Sequence, residues 1–296
     1  MLNLIERLTQ PGVLVADGAT GTMLQRAGLP RGMAPERWNL ENPQAIRELH
    51  HSYIQAGADV ILTNTFGGTH YRLERDGLAG QVREINQAAA RLARDTAGDK
   101  VFVFGDIGPV GALLKPLGRI TFEEARAAFE EQATGLAEGG ADAILIETMG
   151  DIHEVEAAVE GARLATDLPI IVTMSFDTHG HTVMGTKPAE AIDKLWSLGL
   201  AAVGANCGRT LSETLTAIQE MRRAIPSATL MAKPNAGLPH VHSTGQPGGQ
   251  LVYDVTPQIM GEYAQKFSEL GVKIFGGCCG STPDHIRAIA QALKNH

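Results

Sequence analysis

Three cysteines are the residues of this chain whose types and spacing fit a metal site. Cys207 ends a short apolar run, and Cys278 and Cys279 are adjacent, with Gly276-Gly277 before them and Gly280 after them. An odd, small number of cysteines in a chain without a signal-peptide pattern does not indicate a disulfide framework. Three thiolates with an open fourth position form a tetrahedral site, and their softness selects zinc. Glycines on both sides allow the sharp bend that adjacent cysteines need to reach one ion.

A zinc ion held by three thiolates favours one class of reaction. Because the anionic ligands neutralise its charge, such an ion activates water poorly, but it can bind a substrate thiol and keep it deprotonated. Alkyl transfer to a thiol follows from this ligand set. Asp17 and Glu147 could bind a substrate ammonium group, although helix capping or loop ordering would also explain them. The turn at Gly18, Ala19 and Thr20 could offer backbone N–H groups to a carboxylate. Together these groups would fit a substrate that is an amino acid with a thiol side chain.

Eight apolar, β-branched segments must position these side chains. Each ends in a polar or glycine-rich turn, and continuous apolar runs of this length suit strands buried on both faces of a parallel sheet. The eight predicted strands are Val13–Asp17, Val60–Thr65, Val101–Asp106, Ala143–Thr148, Ile170–Ser175, Ala201–Cys207, Thr229–Pro234 and Lys273–Cys278.

Segments with helical periodicity separate most of the predicted strands. Examples are Pro43 to Gly57, the capping-box sequence at Thr121, and the segments 212–225, 256–270 and 282–293. Eight βα units predict an α/β fold that is a single (β/α)8 TIM barrel, one domain over residues 1–296. An open doubly wound sheet is the runner-up, but it is usually associated with a dinucleotide or phosphate fingerprint that the Gly-rich segment at Asp17 does not match.

Polar residues collect at the predicted strand ends. In a barrel these ends meet at one mouth, where chemistry takes place. Inert core cysteines would be expected equally in mid-strand or in helices, whereas all three lie at this mouth. The strand-end residues are Asp17, Asn64, Thr65, Asp106, Glu147, Thr148, Ser175, Asn206, Cys207, Asn235, Cys278 and Cys279.

The sequence resembles the zinc-dependent homocysteine S-methyltransferases, and within that family the N-terminal homocysteine-binding module of cobalamin-dependent methionine synthases. The resemblance implies a (β/α)8 barrel with Cys207, Cys278 and Cys279 as zinc ligands and homocysteine as the methyl acceptor. It also implies that Asp17 and Glu147 contact the homocysteine amino group and that Asn206 lies beside the metal. The matching segments span nearly the whole chain in order: 17–22, 57–66, 105–109, 147–148, 204–208, 233–237 and 276–280.

The methyl donor is less sharply predicted. Relatives use methylcobalamin charged from methyltetrahydrofolate, S-methylmethionine or betaine. Betaine is disfavoured, because Thr148 stands where the betaine branch has an aromatic residue and aromatic residues are only 5% of the chain. The aromatic residues near the mouth, Trp38, Phe66, Tyr71 and Phe176, are interpreted as packing. Eight βα units leave no room for a cobalamin or folate module, so we expect a corrinoid-carrying protein or module to supply the methyl group, unless a small donor acts directly.

Two other functions stay open at this stage. Lys233, near the end of the seventh predicted strand, could form a Schiff base in a lyase or aldolase, although the cysteines would then have no purpose. Alternatively, the chain could be a non-catalytic subunit that only presents homocysteine to a larger complex.

Charge and hydropathy exclude further classes of function. The net charge is −8 and Lys and Arg do not cluster, so no nucleic acid partner is expected. No apolar run approaches the roughly 18 residues that span a bilayer, and the N-terminus lacks a signal-peptide pattern, so no membrane partner and a cytoplasmic location are expected. The histidines are not expected to bind metal: His50 and His51 should face solvent, His179 and His181 lie in a turn, and His240 and His242 lie in a loop over 237–249 that could form a lid.

Overall fold

The computed structural model describes residues 2–242 and 250–294. Eight parallel strands form the barrel: β1 (Leu14–Val15), β2 (Val60–Leu62), β3 (Phe102–Ile107), β4 (Ala143–Met149), β5 (Ile170–Met174), β6 (Ala202–Cys207), β7 (Leu230–Pro234) and β10 (Val272–Phe275). Sequential strands are neighbours from β2 to β7, followed by β10 and β1. A parallel bridge between Ala16 and Val60 brings β1 beside β2 and closes the barrel.

Helices surround the ring, and their ends follow local signals in the sequence. Thr121 forms the predicted capping box at the start of α7, and Gly57, with φ of 103°, ends α4. The helices are α1 (Leu4–Thr9), α2 (Thr20–Arg26), α3 (Trp38–Glu41), α4 (Pro43–Ala56), α5 (His70–Leu73), α6 (Val82–Ala97), α7 (Phe122–Glu138), α8 (Ile152–Ala165), α9 (Pro188–Trp196), α10 (Leu211–Ala224), α11 (Pro257–Glu269) and α12 (Pro283–Lys294).

Two apolar clusters build the core. One contains alternate residues of the strands, such as Leu62, Phe104 and Ile274, and fills the inside of the barrel together with Leu4 and Leu8 of α1. The other contains the intervening strand residues and the inner faces of the helices. Alternation along a strand assigns the two faces to these two clusters. The carboxyl ends of the strands are thereby left for polar side chains.

The barrel prediction is confirmed, and the open doubly wound sheet is wrong because β1 pairs with both β10 and β2. Several boundaries differ. β10 ends at Phe275 rather than at Cys278, so both adjacent cysteines lie in the following loop. The region predicted as a loop over 237–249 contributes β8 (Pro239–His242), which pairs antiparallel with β9 (Gln250–Tyr253). The remainder of that predicted lid, residues 243–249, lies outside the described residues.

Within the described ranges, no helix combines the length and apolar character needed to cross a membrane. The cytoplasmic location stays a prediction.

The prediction that His50 faces solvent is wrong, because this histidine lies on the inner face of α4. Its side chain is 1% exposed, and neither ring nitrogen has a hydrogen-bond partner among the described residues. His51, its neighbour, is exposed as predicted and contacts Gln55. Helical periodicity cannot separate the two, since either histidine of an adjacent pair can face inward. Burial lowers the pKa of His50 to about 4, because the charged imidazolium would lose its hydration.

The buried His50 predicts a loss of stability in acid. The unfolded chain takes up this proton below a pKa of about 6.5, whereas the folded chain resists it until about 4. The contribution of neutral His50 to stability is therefore fully present above the unfolded pKa of about 6.5 and is lost as the pH falls toward 4. The free energy of unfolding should fall by about 2 kcal/mol between about pH 7.5 and about pH 5. Urea unfolding of His50→Leu should lack this loss, while the matched His51→Leu variant should retain it. If the free energy of unfolding of His50→Leu falls as steeply with decreasing pH as that of the wild-type chain, His50 is not the source of the loss.

Candidate metal and ligand site

The three cysteine sulfurs lie together at the barrel mouth. Among the residues that the structure describes, Cys207, Cys278 and Cys279 are the one group of potential ligands close enough to hold a metal ion, with all sulfurs within 4.8 Å of one another. The Cys207 and Cys278 sulfurs are 3.0 Å apart. Three sulfurs around a tetrahedral zinc, with bonds of about 2.3 Å, would be separated by about 3.8 Å. Small side-chain movements would give this spacing, so the residues fit a zinc ion.

The loop after β10 is fixed by backbone contacts that place its two cysteines. Cys278 donates its backbone N–H to the Pro234 carbonyl at 2.9 Å, and Cys279 donates to Asn235 Oδ1 at 3.0 Å. A Cβ on Gly277 would lie 2.2 Å from Ser281 Oγ, so only glycine fits there. The bend predicted for the adjacent pair is therefore present, but it lies beyond the strand rather than at its end.

Without a cation, the three thiols cannot all be deprotonated at low cost. Hydrogen bonds from Cys207 and Cys278 lower the pKa of the Cys279 thiol to about 3, so one thiolate forms readily. Hydrogen bonds with Cys278 and then with Cys279, together with burial, raise the pKa of Cys207 well above its ordinary value. Three thiolates at one point repel each other, and a divalent cation would remove that cost. The donor set therefore favours a soft metal ion.

Asn206 supports the cluster from behind. Its Oδ1 accepts hydrogen bonds from the Thr148 backbone N–H at 2.8 Å and from Thr173 Oγ1 at 2.7 Å, and its Nδ2 donates to Thr148 Oγ1 at 2.6 Å. Nδ2 also lies 3.6 Å from Cys207 Sγ and 4.0 Å from Cys278 Sγ. Thr148 and Cys207 both have φ near +60°, a region that side-chain-bearing residues seldom adopt. We infer that the Asn206 amide holds these two strained strand ends in place.

This contact predicts that Asn206→Ala weakens metal binding without removing a ligand. Loss of a partner of the ligating groups costs about 10-fold to 100-fold in metal affinity. Competition with a chelator should show this loss for zinc. Asn86→Ala is the matched control, because Asn86 is a buried amide that binds Gly68 and Val82 carbonyls on another part of the barrel. Equal zinc affinity in Asn206→Ala and Asn86→Ala would contradict the role.

A buried ion pair lies under the cysteines. Lys233 Nζ donates to Glu147 Oε2 at 3.1 Å, and the two side chains are 2% and 7% exposed. Asp17 Oδ2 accepts the Leu62 backbone N–H at 2.8 Å, and its other oxygen has no partner among the described residues. Asp106 Oδ1 is also unpaired within that set. One ammonium group therefore faces three buried carboxyl groups.

The charges of this cluster follow from burial. Burial raises the pKa of Asp17 to about 7 in spite of Lys233, and burial and Glu147 hold the pKa of Asp106 well above its usual range. Burial alone would lower the pKa of Lys233, but the surrounding carboxylates raise it above its ordinary value. Lys233 is therefore held as an ammonium ion, which cannot attack a carbonyl. The Schiff-base alternative has no support in this geometry.

A cavity of about 520 Å³ joins these groups. Of the predicted substrate residues, Gly18, Ala19, Thr20 and Glu147 line it, as do all three cysteines. Asp17 and Asn206 are not among the lining residues and lie behind the wall, 1% exposed each. The sequence predicted no functional role for three further lining residues, Glu36, Arg72 and Asp106, and Phe66, which was interpreted as packing, also lines the cavity. Asp106 could have been assigned from its strand-end position, whereas Glu36 lies in a single 3-10 turn and Arg72 in the one-turn helix α5, and neither segment carries a motif.

Comparison with known proteins agrees with this geometry. The family model described as homocysteine S-methyltransferase matches residues 14–293. Methionine synthase of Mycobacterium leprae is 35% identical over 98% of this chain, and that of Mycobacterium tuberculosis is 34% identical over 99%. In both cases the chain spans about a quarter of the relative's length, 25%.

Solved structures share the fold. The metallated form of the homocysteine methyltransferase MmuM from Escherichia coli superposes with a TM-score of 0.80 at 24% identity, covering 96% of this chain and 97% of that chain. A methyltransferase from Methanosarcina mazei gives a TM-score of 0.62 at 12% identity, covering 99% and 97%.

Proposed function

The chain belongs to the homocysteine S-methyltransferase family, and from this membership we propose that it methylates homocysteine to methionine at the cysteine cluster. The observation that carries the proposal is the convergence of Cys207, Cys278 and Cys279 on one wall of a cavity that buried carboxyl groups also line. We propose zinc as the resident metal, held by these three residues. When bound, zinc would keep the homocysteine thiol deprotonated at neutral pH.

The carboxyl groups suit the amino end of the substrate. Lys233 offsets only one of the three negative charges that Asp17, Asp106 and Glu147 could carry. A substrate ammonium group would offset a second, and the unpaired Oδ1 atoms of Asp17 and Asp106 are acceptors without donors. Asp106 lines the cavity and so supports direct contact, whereas Asp17 supports the site from the layer behind it. We therefore add Asp106 to the predicted pair Asp17 and Glu147.

The start of α2 suits the carboxylate end. Ala19, at the N-cap of this helix, has no side-chain oxygen and so does not cap the backbone N–H groups of the first turn. Gly18, Ala19 and Thr20 line the same cavity as the cysteines. With the thiol at the cysteines, the ammonium group at the carboxylates and the carboxylate at this turn, the amino acid would be held at three points. Such positioning lowers the barrier to methyl transfer by orienting the attacking sulfur.

We propose that the methyl group comes from methylcobalamin, charged from methyltetrahydrofolate and carried by a separate module or protein. The support is that the curated relatives are methionine synthases about four times longer than this chain. S-methylmethionine or betaine as a direct donor, and a non-catalytic presenting role, are the outcomes that a test must separate.

A panel of donors tests the proposal. The purified, zinc-loaded chain is given homocysteine with free methylcobalamin, S-methylmethionine, betaine or methyltetrahydrofolate, and methionine is measured. We expect turnover with methylcobalamin and none with methyltetrahydrofolate alone. If only S-methylmethionine or betaine supports turnover, the proposed donor is wrong, whereas the proposed methylation of homocysteine is supported. If the chain binds homocysteine but forms no methionine with any donor, the result would contradict catalysis by this chain and favour a subunit that only presents homocysteine.

A further inference from the structure

Two segments of the cavity wall are joined by their backbones. One is residues 17–22, the carboxylate turn, which contains the start of α2, and the other is residues 276–281, the cysteine loop, which carries two of the three sulfurs. Ala19 of the carboxylate turn donates its backbone N–H to the carbonyl of Ser281 in the cysteine loop at 3.0 Å. This contact fixes how far the sulfurs lie from the backbone N–H groups of the carboxylate turn.

Glycines allow the two segments to approach this closely. Gly277 donates its backbone N–H to the Asp17 carbonyl at 2.9 Å, and a Cβ on Gly276 would lie only 2.8 Å from the same carbonyl. A Cβ on Gly18 would lie 2.9 Å from the Ser281 carbonyl. Because the two backbones are in direct contact at these positions, close packing determines their separation.

Tyr53 bridges the two segments from α4. Its side chain is 0% exposed, and its hydroxyl donates to the Ala19 carbonyl and to the Ser281 carbonyl, at 3.0 Å from each. Ser281 is connected in turn to the sulfurs, because its backbone N–H donates to the Cys278 carbonyl at 3.1 Å. A buried hydroxyl is costly unless it is paired, and this one pairs with both segments at once. Tyr53 therefore holds the carboxylate turn against the cysteine loop.

The separation of the two segments would distinguish amino-acid thiols by length. Homocysteine has two methylene groups between its α-carbon and its sulfur, whereas cysteine has one. Both acids carry the same ammonium and carboxylate groups, so groups that bind only these ends do not discriminate between them. If the carboxylate and the sulfur are each bound at a fixed place, the shorter acid cannot reach both. One methylene group is worth about 10-fold to 200-fold in selectivity.

We propose that Tyr53 is a positioning residue that makes the site select homocysteine over cysteine, by holding the carboxylate turn and the cysteine loop at one separation. This inference rests on the proposed function, since it takes the substrate sulfur to lie at the cysteines and the carboxylate at the start of α2. Tyr53 lies behind the cavity wall and acts through Ala19 and Ser281.

Tyr53→Phe tests the proposal, because it removes the bridging hydroxyl and keeps the buried ring. Calorimetry of the zinc-loaded full chain with homocysteine and with cysteine gives the ratio of the two affinities, and bound zinc is measured after each titration. The wild-type chain should prefer homocysteine by about 10-fold to 200-fold, and Tyr53→Phe should lower this preference by about 10-fold, because the carboxylate turn can then shift relative to the sulfurs. A purely structural role would weaken the binding of both thiols equally, so an unchanged ratio would overturn the proposal.

A length series in the wild-type chain tests the fixed separation without any substitution. The amino-acid thiol with one methylene group more than homocysteine should also bind more weakly than homocysteine, because its carboxylate would extend past the start of α2. Equal affinities for all three lengths would overturn the proposal.

Tyr263→Phe is the matched control for Tyr53→Phe. It removes the hydroxyl of a partly buried tyrosine on α11, whose ring centroid lies 4.2 Å from Lys266 Nζ, and it should leave the affinity ratio unchanged. An equal fall of the ratio in both variants would overturn the role of Tyr53. Thermal melting verifies that each variant keeps its fold.

The same titrations separate a failure of this inference from a failure of the proposed function. A wild-type chain that binds neither thiol would contradict both. A wild-type chain that selects homocysteine, with Tyr53→Phe equally selective, would overturn the inference alone. Loss of zinc from Tyr53→Phe would also overturn it, because Tyr53 would then be needed to hold the metal rather than to set a distance.

Discussion

Cys207→Ala should lose stoichiometric zinc and reduce methyl transfer to homocysteine on the order of a thousandfold or more. The change removes one of three sulfurs that lie within 4.8 Å of one another, and the chain has no fourth cysteine to replace it. Without the metal a substrate thiol of pKa about 8.5 is mostly protonated at neutral pH, and the positioning of its sulfur is lost as well. Metal analysis of the dialysed protein and single-turnover methionine formation measure the two effects.

The fold of Cys207→Ala must be verified, because the residue also ends β6 with φ of 57°. Alanine keeps the Cβ, so the barrel should keep its secondary structure, and circular dichroism measures this directly. A variant that folds, holds one zinc per chain and retains full activity would contradict the assignment of Cys207. A variant that folds without zinc but retains full activity would contradict the role of the metal.

Of the substitutions predicted here to change stability, Lys233→Met should lower the free energy of unfolding the most. The substitution leaves Glu147 buried without its cation, with Asp17 and Asp106 close by, and breaking a buried ion pair costs about 3 to 5 kcal/mol. It should also weaken homocysteine binding, because Glu147 would be protonated or displaced from the cavity wall. Urea unfolding gives the change in the free energy of unfolding, and calorimetry with homocysteine gives the change in affinity.

Two controls separate the buried pair from a general effect of losing a lysine. Lys194→Met removes an exposed lysine that pairs with Glu190 on the surface of α9, and it should change stability by less than about 1 kcal/mol. The double variant Lys233→Met with Glu147→Gln removes both buried charges and should recover a large part of the lost stability. If the single and double Lys233 variants are equally unstable, the ion pair is not the source of the loss.

The sequence predicts the barrel well because its signals are local and repeated. Each apolar run and each capped helix carries its own pattern, and the strand-end rule then places the cysteines at one mouth, where the structure has them. The ends of elements are less predictable. β10 ends at Phe275, and the next residue, Gly276, approaches Ala16 too closely for a side chain, which is a tertiary contact that no local pattern shows.

Pairings between distant residues are the part that the sequence does not predict. Lys233 belongs to an apolar strand, and nothing local shows that Glu147, 86 residues away, is its partner. The wrong prediction for His50 has the same origin, since burial depends on what packs against the helix. The bridge that Tyr53 forms also depends on segments that meet only in the folded barrel. Motifs therefore predict the residues of the site, and packing determines their charge states.

X-ray absorption at the zinc edge, with and without homocysteine, measures whether the metal binds the substrate sulfur. We expect three sulfur neighbours at about 2.3 Å in the zinc-loaded chain and four once homocysteine is added, because the substrate sulfur takes the open position. When homocysteine is added to the Cys207→Ala variant, no zinc with four sulfur neighbours should form. An unchanged sulfur count in the wild-type chain at saturating homocysteine would contradict the claim that the metal binds the substrate thiol.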